Sequence, residues 1–474
     1  MSPRAHLCAV ALLVAAGCAA NGSSPPAGAG GGATSGTRTA LVSAASTAKK
    51  HKTIPITHVV VIIQENRSFT NLFESFPNAV TQSFGLNHLG QQVPLVSVPI
   101  NQHFDPGHYH PTFVTEADYN QATSQYKMDG FDLIDGCSGV PSCPKSVYTY
   151  VQQSDIANYW TLASAYALGD ETFQANMGPS FSAHQYLIAG QAGGYSSSHD
   201  TFYADPSGGS TTCFPPVHTS ATLDMTKPYP GFAGTPQPTC QTYSTIFDEL
   251  DTAGISWKYY ARNPKGYWTA PNTIESLYTN DQSKISVPET NVLTDIKKHK
   301  LASVSYVTPA DSFSDHPFNT LTNHGQDWIG LITNAIGADS YYWDNTVVIV
   351  TWDDWGGFYD SVPPPHAVDP FLTSGGLDPN EYGMRVPFIV IGAYVIPHTV
   401  DHTVRSFVSA LTFIESVFNL PSLGTLDAQT DNLMTLFNFS QVPNTYQAVD
   451  THGFTGAQAL RAALHSGPID DDMP

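Results

Sequence analysis

Two uninterrupted runs of apolar, largely β-branched residues constrain this chain most: Thr57-His58-Val59-Val60-Val61-Ile62-Ile63 and Thr346-Val347-Val348-Ile349-Val350-Thr351-Trp352. Neither alternates with polar residues, so neither suits a strand with one wet face; both read as strands buried on both faces of an α/β sheet. The first runs into Gln64-Glu65-Asn66-Arg67-Ser68-Phe69, the second into Asp353-Asp354-Trp355-Gly356-Gly357-Phe358. Open α/β sheets take their ligands in the crevice outside the carboxyl ends of the strands. Glu65, Asn66, Asp353 and Asp354 are therefore delivered to that edge as oxygen donors. A plainer alternative stands beside each. Ser68 or Asn66 would cap a helix with Glu65 solvated, and the paired aspartates would form a turn. Consecutive glycines after Asp354 favour a close backbone approach to a site instead.

Between and beyond these runs, helical spacing marks residues 154–168, 183–190, 245–253, 326–336 and 406–418. Shorter apolar elements at 256–261, 302–307 and 386–395 read as strands. Alternating strands and helices without an internal repeat predict an α/β fold: a central, mostly parallel sheet flanked by helices on both faces, with loop-rich insertions. A third strand, 302–307, leads to Ser314-Asp315-His316-Pro317. If all three strands share the sheet, the carboxylates of these phrases, an amide and at least one imidazole gather around one point. Such crowding of anions calls for a cation. Hard oxygen donors suit Ca, Mg or Mn, and nearby histidines admit Zn or Fe. His108 and His110 sit in a Pro/Gly loop, where a solvated polar loop is the plainer alternative. Asn176-Met177-Gly178-Pro179-Ser180-Phe181 forms a turn ahead of a helix, placing Ser180 as a nucleophile where helix amides stabilise anions.

With 40 acidic and 19 basic residues, the formal net charge of -21 argues against a nucleic-acid or anionic-membrane partner. Only 12% of residues are charged, and Gly, Pro and Tyr are abundant, a composition that suits export. Arg4 precedes a ten-residue apolar stretch, 7–16, too short to span a bilayer, so residues 1–18 read as a signal peptide. Ala15-Ala16-Gly17-Cys18 resembles a bacterial lipoprotein signal, with a lipid anchor at Cys18; an ordinary cleaved signal is the alternative. Localisation is then secreted, periplasmic or membrane-anchored. Residues 19–52 have almost no large apolar side chains and read as a Gly/Ala/Ser tether, 53–445 as the catalytic domain and 446–474 as a C-terminal tail. Four cysteines remain, and in an exported chain they pair locally, Cys137 with Cys143 and Cys213 with Cys240.

Six phrases in order carry a resemblance: Gln64-Glu65-Asn66-Arg67-Ser68-Phe69, Asp105-Pro106-Gly107-His108, Lys127-Met128-Asp129-Gly130-Phe131, Gly178-Pro179-Ser180-Phe181, Ser314-Asp315-His316-Pro317 and Thr351-Trp352-Asp353-Asp354-Trp355-Gly356-Gly357. Together they resemble the bacterial phosphoesterase family of phospholipases C and acid phosphatases, within the alkaline phosphatase superfamily. The resemblance implies an alkaline phosphatase-like fold and a metal-dependent hydrolase of phosphoric esters. It implies that Glu65, Asn66, Ser180, Asp353 and Asp354 bind a divalent metal and that Ser180 is the nucleophile, passing through a phosphoserine. His108 and His316 would hold phosphoryl oxygens or protonate the leaving alcohol, and Lys127 and Asp129 would line the pocket. Phospholipase members typically carry Asp-Pro-Asn-Arg after the nucleophile; here Phe181-Ser182-Ala183-His184 stands instead, so either His184 replaces the missing Arg or the head-group contacts differ. The substrate would be a phospholipid head group or a small phosphate ester. Two rivals are a sulfatase-like hydrolase on the same scaffold and a non-catalytic, exported, metal-stabilised binding protein.

Overall fold

The computed structural model describes residues 54–465 apart from 102–104, 121–122, 124, 135–146, 194–199, 203–204, 207–211, 216, 218, 225–231, 267, 318–323 and 366–381. The expected signal, tether and Cys137–Cys143 pairing lie outside these residues. The strands of the main sheet are β1 (His58–Gln64), β2 (Ala167–Gly169), β3 (Trp257–Tyr260), β4 (Ile285–Ser286), β5 (Val304–Val307), β6 (Thr346–Trp352), β7 (Phe388–Gly392) and β8 (Thr399–Asp401). Their spatial order is β4-β3-β5-β1-β6-β7-β2-β8. Pairing is parallel from β4 to β6; β7 runs antiparallel to β6 and β2, and β8 is parallel to β2. The three strands expected to end in oxygen donors, β5, β1 and β6, are direct neighbours.

The two β-branched runs pair in parallel from His58 opposite Thr346 to Gln64 opposite Trp352. Val59 to Ile63, and every residue of β6, are buried. Successive strand side chains point to opposite faces, so both faces of the sheet are covered. The helices used below are α1 (Phe69–Phe73), α2 (His110–Ala117), α3 (Ala157–Ala165), α4 (Ser180–Ala189), α5 (Ile246–Ala253), α6 (His324–Gly337), α7 (Ser409–Phe418) and α8 (Gly456–His465). They form separate packing groups: α3 lies against α6, while α4 lies against α5 and α7. The fold is the expected α/β architecture, with a mostly parallel sheet between helices.

Some boundaries differ from expectation. The helix read over 154–168 ends at Ala165, and Leu168 belongs to β2. Tyr166 extends the apolar pattern although its backbone has left the helix, and its hydroxyl accepts from Gln447 N. The helix read from 406 starts at Ser409, because Arg405 and Ser406 pair with Thr172 and Phe173. His110, expected in a loop, opens α2, with Pro111 supplying the favoured first-turn proline. Cys213 and Cys240 form the expected disulfide. Beyond residue 445, Tyr446 donates to Asn334 Oδ1 on α6, and α8 buries Ala459 and Ala463.

A carboxyl cluster joins α7 to its surroundings. Glu415 is 6% exposed, and its carboxyl is pushed up to about 9, chiefly by burial and then by Asp427 and Glu249. Glu249 on α5 is raised to about 7, again mainly by burial. Asp427 accepts from Thr425 N and from the hydroxyls of Thr425 and Ser422. A carboxyl whose folded pKa is raised binds a proton that the unfolded chain releases, so stability falls as pH rises from the ordinary Glu range toward about 9. Thermal melts should show Tm dropping across this window, and Glu415→Gln should flatten the drop and raise Tm by a few degrees at its alkaline end. Parallel Tm-against-pH curves for the two proteins would refute the assignment.

Candidate active site

Beyond their last ladder pair, β1 and β6 stay tied together. Asp353 N donates to Gln64 O and Arg67 N to Asp354 O, both at 3.0 Å. Asn66, between these bonds, adopts a left-handed backbone with φ 60°, which Asn tolerates, and its N–H donates to Asp353 Oδ1 at 3.0 Å. Ser68 does cap α1, accepting from Asn71 N at 3.1 Å. Glu65 is not solvated: it is fully buried, as are Asn66, Asp353 and Asp354. Gly356 has φ 61°, and a Cβ there would stand 2.2 Å from Asn66 O. Its N–H donates to Asp354 Oδ1 at 2.7 Å, so the glycine turn orients the second aspartate.

The helix α4 begins at Ser180 itself, three residues earlier than its periodicity suggests, with Pro179 as N-cap. Ser180 Oγ lies 3.3 Å from Asp354 Oδ2. The next amide, Phe181 N, donates to Asp205 Oδ1 at 2.9 Å. Four residues after Ser180, on the same helix face, His184 places Nε2 3.2 Å from Glu65 Oε1 and 3.8 Å from Asp353 Oδ2. Donor atoms of Glu65, His184 and Asp353 all lie within 4.8 Å of one another. Buried Asn66 Oδ1 and Asp353 Oδ2 meet no hydrogen-bond donor among the described residues. Carboxylates buried together are costly without a compensating charge. Two carboxylates, an amide oxygen and an imidazole make a donor set that fits one divalent cation.

Two more imidazoles are buried nearby. His108 Nδ1–H donates to Pro106 O at 2.8 Å, which leaves Nε2 to accept from Asn66 Nδ2 at 3.0 Å. That relay turns the Asn66 amide so that its Oδ1 faces away from His108. His316 Nδ1–H donates to Pro317 O at 2.7 Å, and its ring centroid lies 6.0 Å from that of His108. Trp268 sits 6.3 Å from the His316 ring and 6.5 Å from His184.

Other expected residues have partners of their own. Lys127 pairs with Asp118 and is half exposed. No described hydrogen bond or ion pair joins Lys127 or Asp129 to Ser180 or Asp353. His110 Nδ1–H donates to Met177 O at 2.9 Å, bracing the turn before Ser180. Asp315 turns from the cluster: Oδ2 accepts from Tyr159 Oη at 2.8 Å and Trp352 Nε1 at 3.0 Å. Burial pushes its carboxyl up to about 6 against the pull of Arg67. Arg67 is itself occupied, donating to Asp315 O, Ile100 O and Asn71 Oδ1. Sequence reasoning missed Trp268, Asp205 and Glu116. Glu116 accepts from Trp355 Nε1 at 2.7 Å, and burial holds its carboxyl well above the usual range.

The Phosphoesterase family model matches residues 56–421. Phospholipase C B of Mycobacterium tuberculosis is 24% identical over 454 residues, covering 82% of this chain and 79% of that protein. Hemolytic phospholipase C of Pseudomonas aeruginosa is 24% identical over 459 residues, covering 83% of this chain and 57% of that one. Among solved structures, a protein in the alkaline phosphatase superfamily from Vibrio parahaemolyticus aligns with 79% of this chain and 70% of its own, at 13% identity and a TM-score of 0.34. The family match takes in all eight strands, both acidic strand ends and the turn bearing Ser180. The chain belongs to the Phosphoesterase family and is a hydrolase of phosphoric esters.

Proposed function

We propose that the chain hydrolyses phosphoric esters with Ser180 as nucleophile, through a phosphoserine, at a divalent metal centre, as a phospholipase C or acid phosphatase. The observation that carries the proposal is Ser180 Oγ at the start of α4, 3.3 Å from Asp354 and on the same helix face as His184, which meets Glu65 and Asp353. Glu65, Asp353 and His184 would hold the cation, with Asn66 Oδ1 and Asp354 beside them. When bound, it supplies positive charge for the serine alkoxide and the phosphoryl oxygens.

The chain's own groups divide the remaining work. Gly356 N holds Asp354 Oδ1, leaving Oδ2 toward the Ser180 hydroxyl, whose proton it can accept. The start of α4 favours negative charge on Oγ. Oγ attacks phosphorus, the Oγ–P bond forms and the ester P–O bond breaks. His316, its Nδ1–H fixed on Pro317 O, gives the departing alcohol a proton from Nε2 in its imidazolium form. His108 keeps Asn66 oriented. Water, giving a proton to the now neutral His316, then attacks phosphorus, the Oγ–P bond breaks and Oγ regains its proton from Asp354. Phospholipase C relatives support an ester substrate of this kind. Export is supported by the Cys213–Cys240 disulfide and the short apolar N-terminal stretch before Cys18. No described helix is long and apolar enough to cross a membrane.

Ser180→Ala should lower kcat on p-nitrophenyl phosphate and p-nitrophenylphosphorylcholine at least about a thousandfold with an unchanged circular-dichroism spectrum. Retained turnover would remove Ser180 from the reaction. Chelator-stripped protein should gain Tm on addition of one of Ca, Mg, Mn, Zn or Fe, by an increment worth about 2.7 kcal/mol at a hundredfold excess over Kd. Glu65→Gln and Asp353→Asn should lose that gain, and a wild-type Tm indifferent to all five ions would exclude the metal centre.

A further inference from the structure

The groups around Ser180 are unevenly charged. Glu65, Asp353 and Asp354 are carboxyl groups within the site, and the imidazoles are His184, His108 and His316. Arg67 donates to backbone carbonyls and Asn71, and Lys127 pairs with Asp118. No arginine follows the nucleophile in Phe181-Ser182-Ala183-His184. The first amides of a helix are the backbone's own anion receptors, available to the oxygens of a group attacked at its first residue. Phe181 N, the second amide of α4, is already bound by Asp205 Oδ1 at 2.9 Å. A carboxylate thus occupies a donor that an anionic phosphoryl oxygen would use, and adds its own charge there.

Phosphomonoesters and phosphodiesters respond differently to that arrangement. A monoester carries close to two negative charges once its second proton leaves near pH ~6. A diester carries one charge, and its alkylated oxygen needs no charged donor. We propose that Asp205 is a specificity-determining residue that selects singly charged phosphodiesters over dianionic phosphomonoesters. The inference rests on the assignment of phosphoester hydrolysis to Ser180.

The test compares kcat/KM for bis(p-nitrophenyl) phosphate and p-nitrophenyl phosphate in the wild type, Asp205→Asn and Asp205→Ala. Asn keeps an oxygen for Phe181 N and removes the charge; Ala removes both. The wild type should favour the diester, with monoester hydrolysis falling as pH passes about 6. Asp205→Asn should raise the monoester-to-diester ratio about tenfold or more and flatten that fall. An unchanged ratio in Asp205→Asn, with both activities present, would overturn the selectivity role alone. So would a loss in Asp205→Ala that is equal for both esters and restored by Asn, which marks a helix cap only. A wild type that hydrolyses neither ester would overturn the Ser180 assignment as well.

Discussion

The parallel pairing of β1 with β6 fixes nearly everything at the site. Seven residues of each strand lie in register, and backbone bonds carry that register onward through Asp353 and Arg67. A slip of one residue would turn each side chain to the opposite face of the sheet. Glu65 and Asp353 would then no longer converge on His184. Burial of both strands from Val59 and Thr346 onward opposes such slippage, because a shifted register exposes apolar surface to water.

Charge is partitioned just as strictly. Buried Arg385 binds Asp360 Oδ1 at 2.9 Å and the carbonyls of Val80 and Asp170, while Arg67 binds carbonyls beneath the site. Guanidinium groups are thus used as scaffold, where planar donors satisfy several acceptors at once. The carboxylates at the strand ends are met by imidazole and backbone amide instead. That division leaves room for an exchangeable cation where a fixed arginine would have closed the position.

The strand ends were legible because continuous β-branched runs have few other uses, and a carboxylate directly after such a run can only emerge at the sheet edge. The place of Ser180 at the start of a helix was legible from its Gly-Pro turn, and Cys213–Cys240 from the even cysteine count. Helix limits were less so: Leu168 fits a helical stripe and a buried strand equally well, and pairing with β7 and β8 decides between them. Neighbours within one phrase also parted company. His316 faces His108, whereas Asp315 turns to Tyr159 and Trp352, a choice made by aromatic donors remote in sequence. Glu116 and Asp205 left no local signal, since their partners Trp355 and Phe181 lie on other elements.

The loop-rich stretch carrying Asp205 has a further consequence. Asp205 belongs to the excursion between α4 and α5, which the Cys213–Cys240 disulfide crosslinks and the bond from Cys213 N to Asn272 O fastens. The groups proposed to break the ester bond come from the strand ends, the loop bearing His316 and the start of α4; the proposed charge filter comes from the excursion. Exchange of the excursion alone could therefore retune which esters are accepted while the sheet-borne machinery is inherited unchanged, making selectivity the more freely evolving of the two traits.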